Sequence, residues 1–525
     1  MTPQQRRWTM VAVVLGSSAV FLDTSVVNLA LPRISVDLPS SLFGALEAQS
    51  YVANGYFVTL SALLILGGGL TDHLGRRRMF SVGLAGFAAT SLLCGLAPSM
   101  EFLILARILQ GATGALVVPG SLAIITAGFE GEERGRAFGI WAGASAATTI
   151  LGPFVGGLLV NTFSWRIAFL LNLPLLAVAW VATFRFVPES RDEEAAGHVD
   201  WLGSFAVVLA VGGLAFGTIR GQQHGWGSPG AMIGLGIGAV AAICLPPLML
   251  RRKNPLVPPA LFRSRNFSVT NVATLVIYGA LYVSLLFQGI FLIQTLGYNE
   301  QAAGLVAIPG SILLVVFSTR FGKLAAKHGP RFYMAAGPAV MALGLLWLTR
   351  LPADSPSWVL GTGVGASLVP PRSYFIDLFP GLVIFGVGLT MMVAPLTTAL
   401  MGSVPEGKAG VASAINNAIS RVGSPLVTAV IFVAVASGFY GSIAQRVPEA
   451  DVTSPGFRAQ VEPFRQPSVE VAPQIREAAR GASTDAFHLA MLVSAGLLLT
   501  GAVVNGVGIR NPSRPPPVEG HQGRG

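Results

Sequence analysis

The sequence predicts an all-α polytopic membrane protein, and three observations predict it. Of its 525 residues, 52% are hydrophobic and only 11% charged, whereas soluble domains are about a quarter charged. The apolar residues gather into fourteen segments, each near the ~20 residues a helix needs to cross a bilayer. They cover 9–31, 48–69, 79–97, 100–125, 137–160, 167–187, 201–220, 231–250, 267–295, 302–325, 332–350, 378–401, 409–438 and 485–508. Third, the basic residues fall in alternate connections. With the N-terminus inside, the inner connections hold Arg76, Arg77, Arg78, Arg134, Arg136, Arg185, Arg191, Arg251, Arg252, Lys253, Arg263, Arg265, Lys323, Lys327, Arg331 and Lys408. The short outer ones hold only Arg33, Arg166, Arg220, Arg350 and Arg372. Such a bias puts both termini in the cytoplasm, and that requires an even number of spans.

Composition also excludes several classes. The net charge of +10 is scattered in short runs between apolar segments, so no basic domain is available to track a nucleic acid. Cys94 and Cys244 lie in separate apolar segments and read as small buried residues. The apolar run from Trp8 is long enough to span and lacks a cleavage site, so no removable signal is expected. The six histidines (His73, His198, His224, His328, His488, His521) show no metal-ligand spacing. No phosphate-binding loop is present, so ATP is not expected to drive the protein directly, and no metal or cofactor is expected.

The first segment carries Asp23, about eight residues inside its expected outer end. A carboxylate at a membrane helix centre costs roughly 2.5–3.5 kcal/mol on insertion scales, so such a residue usually faces a polar cavity, meets a cation or carries protons. A helix-end Asp reaching the headgroups is the plainer alternative. The fourth segment supplies the matching cation. Arg107 lies about seven residues below the outer start of that segment, so at ~1.5 Å per residue both groups sit ~11 Å deep. A static buried ion pair and a proton-operated switch both satisfy that geometry.

The connection after the second segment, Gly68 through Arg78, combines a tight turn at Gly75 with Asp72 and Arg76. Residues 68–77 repeat weakly at 322–331, and Pro119 of the fourth segment matches Pro395 of the twelfth. Segments 1–6 thus correspond to 9–14, with segments 7 and 8 inserted between. Parallel repeats around a central site are a transporter architecture. The fifth segment carries Gly135, Gly139, Gly143 and Ala147 at every fourth position, then Gly152 and Gly156. Such a ridge permits close backbone approach, and Pro153 can kink it. Ordinary close packing explains the ridge equally well. Asn416, Asn417 and Arg421 in the thirteenth segment, Gln288 and Gln294 in the ninth, and Asn54 in the second are candidate polar liners of a cavity. Each alone also reads as a satisfied interhelical hydrogen bond. Tyr56, Trp141, Tyr278 and Phe287 could add aromatic walls. Segments 9–14 carry no Asp or Glu away from their ends. Neutral, zwitterionic or singly charged amphiphiles are therefore expected rather than dications.

Together these motifs resemble the major facilitator superfamily, specifically its fourteen-spanner drug/proton antiporters, over nearly the whole chain. Leu22-Asp23-Thr24 through Asn28-Leu29-Ala30-Leu31-Pro32 resembles the first-helix motif. Residues 68–78 resemble the superfamily's signature loop, with Gly68, Asp72, Gly75 and Arg76 as a conformational latch. Ala326 stands where the second copy would carry the Asp. Arg107-Ile108-Leu109-Gln110-Gly111, with Pro119, resembles the fourth-helix motif. Gly152, Pro153, Gly156 and Gly157 resemble the antiporter motif. Ser164-Trp165-Arg166 and Phe169-Leu170-Leu171-Asn172-Leu173-Pro174 resemble the start of the sixth helix, Ile167 replacing the usual Trp. The resemblance implies a major facilitator fold divided into 1–187, an inserted pair over 188–266, and 267–510 with a long outer loop at 439–484. A disordered tail, 511–525, would follow. It implies a monomeric, proton-gradient-driven exporter of drugs, antibiotics or a secreted metabolite in a bacterial plasma membrane. Asp23 and Arg107 would couple protons, and Asn28, Asn54, Gln110, Gln288, Gln294, Asn416, Asn417 and Arg421 would line the substrate cavity. A proton-coupled uptake symporter of the same fold is the alternative. A membrane enzyme or sensor is disfavoured: no nucleophile–base pair and no appended soluble domain is evident.

Overall fold

A computed structural model describes residues 1–39, 45–191, 200–306, 308–361, 367–465, 467 and 471–511. Every regular element among them is helical. In chain order these are α1 (Pro3–Asp37), α2 (Ala45–Leu74), α3 (Arg76–Gly95), α4 (Met100–Gly128), α5 (Gly131–Thr162), α6 (Trp165–Leu170), α7 (Asn172–Phe186), α8 (Trp201–His224) and α9 (Pro229–Leu250). Then follow α10 (Arg265–Ile290), α11 (Glu300–Val306), α12 (Ile308–His328), α13 (Arg331–Leu348), α14 (Phe379–Gly402), α15 (Ala409–Arg446), α16 (Pro455–Gln460) and α17 (Pro473–Gly508). Among the described residues eleven helical stretches, several joining neighbouring elements, are long and apolar enough to cross a membrane.

Local chemistry fixes the ends. Thr2 accepts from Gln5 N while Gln5 reaches back to Thr2 N, and Pro3 follows at the first helical position. This capping box satisfies otherwise orphaned donors at the start of α1. Ser99, Asp200 and Ser264 cap α4, α8 and α10 more simply, each side chain accepting one first-turn N–H. Gly75, at φ +109°, turns the chain between α2 and α3, a conformation open mainly to glycine.

Several expected boundaries move. α1 runs to Asp37, six residues past the expected 31. α15 continues to Arg446 and α17 begins at Pro473, so the expected outer loop 439–484 shrinks to 447–472 and contains α16. Two charged turns thereby become helical: Arg446 and Asp485 pair at 2.8 Å across α15 and α17. Hydropathy ends a segment where lipid ends, whereas a helix continues while its exposed groups find partners. The tail residues 512–525 lie outside the described residues.

α1 packs on α5 and α7, α2 and α3 on α4, and α3 on α7. α13 packs on α14 and α17, α10 on α15 and α17, and α12 on α14. There are two large apolar cores; the first also reaches across the seam to Phe267, Leu400, Val411 and Ile415. One is centred on Tyr56, Phe80, Phe87, Val117 and Phe138, the other on Phe287, Phe291, Met341, Phe439 and Phe487. The groups meet chiefly along α2–α15 and α5–α12, and the α8–α9 hairpin lies against α2 and α15. In repeat terms each seam joins the second segment of one copy to the fifth of the other. Arg6 with Glu133, Arg77 with Glu189, and Lys323 with Glu132 gather at one end of the bundle, hereafter the basic face.

Candidate functional site

Asp23 and Arg107 meet inside the first group of helices. Arg107 Nη1 donates to Asp23 Oδ2 at 2.5 Å. Asp23 Oδ1 accepts from Gln110 Nε2 at 3.0 Å and from Asn172 Nδ2 at 3.1 Å. Gln110 also donates to Ser91 Oγ at 2.8 Å and accepts from Arg107 Nη1 at 2.7 Å. Arg107 Nε donates to Val52 O at 3.3 Å, and its guanidinium lies 4.2 Å from the centroid of the Tyr56 ring. Asp23 and Gln110 are 0% exposed and Arg107 1%. The network draws on α1, α2, α3, α4 and α7.

The arrangement answers the cost of burying two ions. Their mutual attraction offsets desolvation only when the remaining lone pairs and protons are also satisfied. Here both carboxylate oxygens and two of the three guanidinium nitrogens are bonded. Asn172 Oδ1 is buried with no hydrogen-bond partner, so one acceptor in the cluster is free.

A second constellation sits at the basic face. Asp72, near the end of α2, accepts from Gly410 N at 3.1 Å and Val411 N at 2.9 Å. These are orphan donors in the first turn of α15, where a carboxylate also meets the positive end of the helix dipole. Arg76 bridges Asp72 Oδ1, at 3.4 Å, to the carbonyl of Glu406. A Cβ on Gly68 would stand 2.4 Å from Gly410 O, and one on Gly410 would stand 2.6 Å from Gly68 O. Glycine at both positions is what lets the backbones touch. Gly75 works differently: beside it Glu189 accepts from Arg77 N at 3.0 Å and Arg78 N at 3.1 Å, capping α3.

The other seam is built from small residues. A Cβ on Gly135 would meet Gly322 O at 2.5 Å, and one on Gly139 would meet Thr319 Cα at 2.6 Å. Ser318 Oγ donates to Gly139 O at 2.8 Å, and Lys323 pairs with Glu132 at 3.5 Å. Ala326, the counterpart of Asp72, packs against Gly135. Both seams are closed at the basic face.

The expected cavity liners do not assemble into one site. Gln110 belongs to the sealed Asp23 network, because the register of α4 places it one turn below Arg107. Asn54 lines a lateral groove of about 230 Å³ with Tyr51, Ile104, Ile108, Phe216 and Arg220, because that face of α2 meets α4 and α8. Asn416 donates to Asn271 Oδ1 at 3.1 Å and Thr274 Oγ1 at 2.8 Å, a link between α15 and α10. Asn417 bonds back to Ser413 O at 3.0 Å. Gln288 is buried in α10, and Gln294 is exposed in the π-helical turn Phe291–Thr295. Arg421 is partly exposed, makes no ion pair or hydrogen bond among the described residues, and lies within electrostatic range of Tyr56. Gly152 is buried in α5. The side chains of Asn28 and Pro153, and the surroundings of Gly156 and Gly157, lie outside the described residues.

Of the aromatic candidates, Trp141 donates to Ser17 Oγ at 2.9 Å, and Phe287 stacks on Phe432 within the second core. Trp141 is a packing residue here, whereas Phe287 and the exposed Phe432 also line a cavity of about 810 Å³ with Trp226 and Tyr440. Asn172 and Ser91 were not singled out as site residues from sequence. Asn172 had a signal, an amide inside the apolar run 169–174. Ser91 had none, since a serine in a membrane helix usually bonds its own backbone. Among the described residues no cluster of His, Cys, Asp or Glu could hold a metal.

Residues 13–428 match the family model of the Major Facilitator Superfamily. "Multidrug resistance protein Stp" of Mycobacterium tuberculosis is 33% identical over 424 residues, 81% of this chain and 74% of that protein. "Methylenomycin A resistance protein" of Streptomyces coelicolor is 30% identical over 79% of this chain and 82% of that protein. Among solved structures, the human organic anion transporter MFSD10 superposes with a TM-score of 0.57 over 96% of this chain and all of the other, at 13% identity. That last likeness concerns the fold.

Proposed function

The chain belongs to the Major Facilitator Superfamily and is a multi-pass membrane transporter, and on that premise we propose that it exports small amphipathic compounds in exchange for protons. The observation that carries the proposal is the sealed Asp23–Arg107–Gln110–Asn172 network. Asp23 is the proton-binding group, and Arg107 is the cation that protonation frees. Because the pair is dry in this conformation, a proton reaches it only after the helices rearrange, which ties proton uptake to the transport cycle.

Asp72 at the start of α15 and the glycine contacts of α5 with α12 act as the latches of alternating access. In this reading the basic face is cytoplasmic and closed. Substrate would bind from the cytoplasm once the latches part and leave on the other side, with a proton taking the return path. The resistance and export roles named for the bacterial relatives favour drug or antibiotic efflux across a bacterial plasma membrane. The eleven apolar stretches, with α1, α5 and α15 added, make fourteen spans with both termini in the cytoplasm. Helices α1–α7 and α10–α17 form the two halves, α8 and α9 are the inserted pair, and the working unit is a monomer. Each proton moved inward supplies about 2.3 kcal/mol per 100 mV of membrane potential. The benefit therefore depends on the substrate's own charge: one proton exchanged for a neutral or zwitterionic compound gains that term once, for a monoanion twice, and for a monocation not at all.

The test is proton release when a panel of amphipathic drugs is added to purified protein, wild type beside Asp23→Asn. The proposal expects release that disappears in the variant. Drug binding without release, or release that Asp23→Asn leaves undiminished, would remove Asp23 as the coupling group.

A further inference from the structure

We propose that the seam between the inserted hairpin and α10/α15 is a binding site for one anionic phospholipid from the leaflet at the basic face. The inference rests on the chain crossing a membrane and not on what it exports. Between α8, α9, α10 and α15 lies a cavity of about 690 Å³, with Ile65 of α2 at its floor. Its walls include Leu214, Leu245, Pro246, Met249, Leu275 and Ile419. The seam has a cause in the sequence. Pro246 and Pro247 fall inside α9, and each lacks a backbone donor and crowds the preceding turn. Among the described residues α9 packs chiefly on α8 and on the connector that follows it, so the face of α9 toward α10 and α15 stays open.

The lining decides the kind of occupant. A site for a compact drug places a few polar groups to orient it. Here Ser268 and Asn271 are the polar liners, and both are engaged. Ser268 Oγ donates to Phe262 O at 2.7 Å; Asn271 Nδ2 donates to Phe267 O at 2.9 Å while its oxygen accepts from Asn416. What remains is an apolar channel that suits a flexible hydrocarbon chain.

Charge decides the headgroup. Leu250 and Phe262 line the cavity and are themselves 70% and 46% exposed, which puts them on its open side. Within three residues of them in sequence are Arg251, Lys253 and Arg263, all exposed, their side chains without an ion pair or hydrogen bond among the described residues. Arg252 alone among these cations is answered, by Asp200 at 3.6 Å. Three cations that have no acidic partner among the described residues, within a few residues of an apolar slot, complement a phosphodiester with no compensating amine. Basic pockets between membrane helices on this side recognise anionic headgroups in just this way.

The experiment is native mass spectrometry of the purified, delipidated full-length protein. Palmitoyl-oleoyl phosphatidylglycerol or phosphatidylethanolamine is titrated in detergent. One saturable phosphatidylglycerol is expected, retained about tenfold more tightly than phosphatidylethanolamine. The triple variant Arg251→Gln/Lys253→Gln/Arg263→Gln alters only exposed side chains and should retain the two lipids equally. Ala242→Phe fills the channel and should remove tight retention of either lipid. Equal retention of the two lipids by the wild type, or a phosphatidylglycerol preference that the triple variant keeps, would overturn the proposal. So would capture of an added amphipathic drug in the channel in preference to lipid. None of these outcomes depends on proton release, so this inference and the export reading fail separately.

Discussion

Replacing Asp72 by Asn should open the basic face. The carboxylate takes two backbone donors of α15 at 3.1 and 2.9 Å and holds Arg76 at 3.4 Å. Charge-assisted hydrogen bonds are each worth about 1.5–3 kcal/mol, and an anion at a helix N-terminus adds about 0.3–2 kcal/mol. Asn keeps one acceptor, so one of the two bonds and the charge are lost. The carboxylate also surrenders hydration when the seam closes, which offsets part of that gain. A net loss near ~2 kcal/mol is therefore expected, a rise of about thirtyfold in the open-to-closed ratio. Spin labels at Arg78 and Gly402, both exposed on the basic face, would report it by pulsed dipolar distance measurement. Cys94 and Cys244 are replaced beforehand, and the ratio is read under conditions where both populations are visible. A change below threefold would refute the assignment of Asp72 as a latch and leave the small-residue contacts as the closing force.

Three further outcomes follow from the same contacts. Arg107→Ala strands a buried carboxylate, a defect that typically costs about 3–5 kcal/mol. Its detergent thermal midpoint should fall sharply, and the Asp23→Asn/Arg107→Gln double variant should recover most of the loss; no recovery would mean that Arg107 acts through packing alone. Gly135→Val cannot leave α5 against Gly322 O, which a Cβ would approach to 2.5 Å. Export should drop at least tenfold at normal expression, and wild-type export would show that this seam need not close. Tyr298 lies between spanning helices with its hydroxyl buried and unpartnered, a penalty of about 1–3 kcal/mol. Tyr298→Phe should therefore raise the thermal midpoint. Burial, with Asp377 and Tyr374 nearby, pushes the Tyr298 phenol up to about 12. The folded chain then holds this proton where an unfolded chain has lost it, so wild type should lose stability relative to Tyr298→Phe between pH 10 and 12.

Much of the architecture was legible because it follows from one solvent. A bilayer requires long apolar helices, and alternate connections must carry the positive charge. Asp23 and Arg107 were legible for a related reason: at depth an ion needs a counter-ion, and the matched depths pointed to each other. Asn54, Asn416 and Gln294 do not share one cavity in this conformation, because polarity at depth says that a partner exists and not where it stands. Asn416 found Asn271 and Thr274, whereas Asn54 faced a groove beside α8.

The sequence by itself determined which stretches are long and apolar enough to cross a membrane, where the basic residues gather, and that Asp23 needed a partner. It determined these because transfer out of water is costly residue by residue, whatever the neighbours. Only the tertiary structure decided that Gln110, Asn172 and Ser91 complete the Asp23 cluster, that Asp72 caps α15, and that Gly135 and Gly322 bring two backbones together. Those are relations between helices distant in sequence. The rotation of each helix about its axis decides them, and that rotation is fixed only when all the helices pack at once.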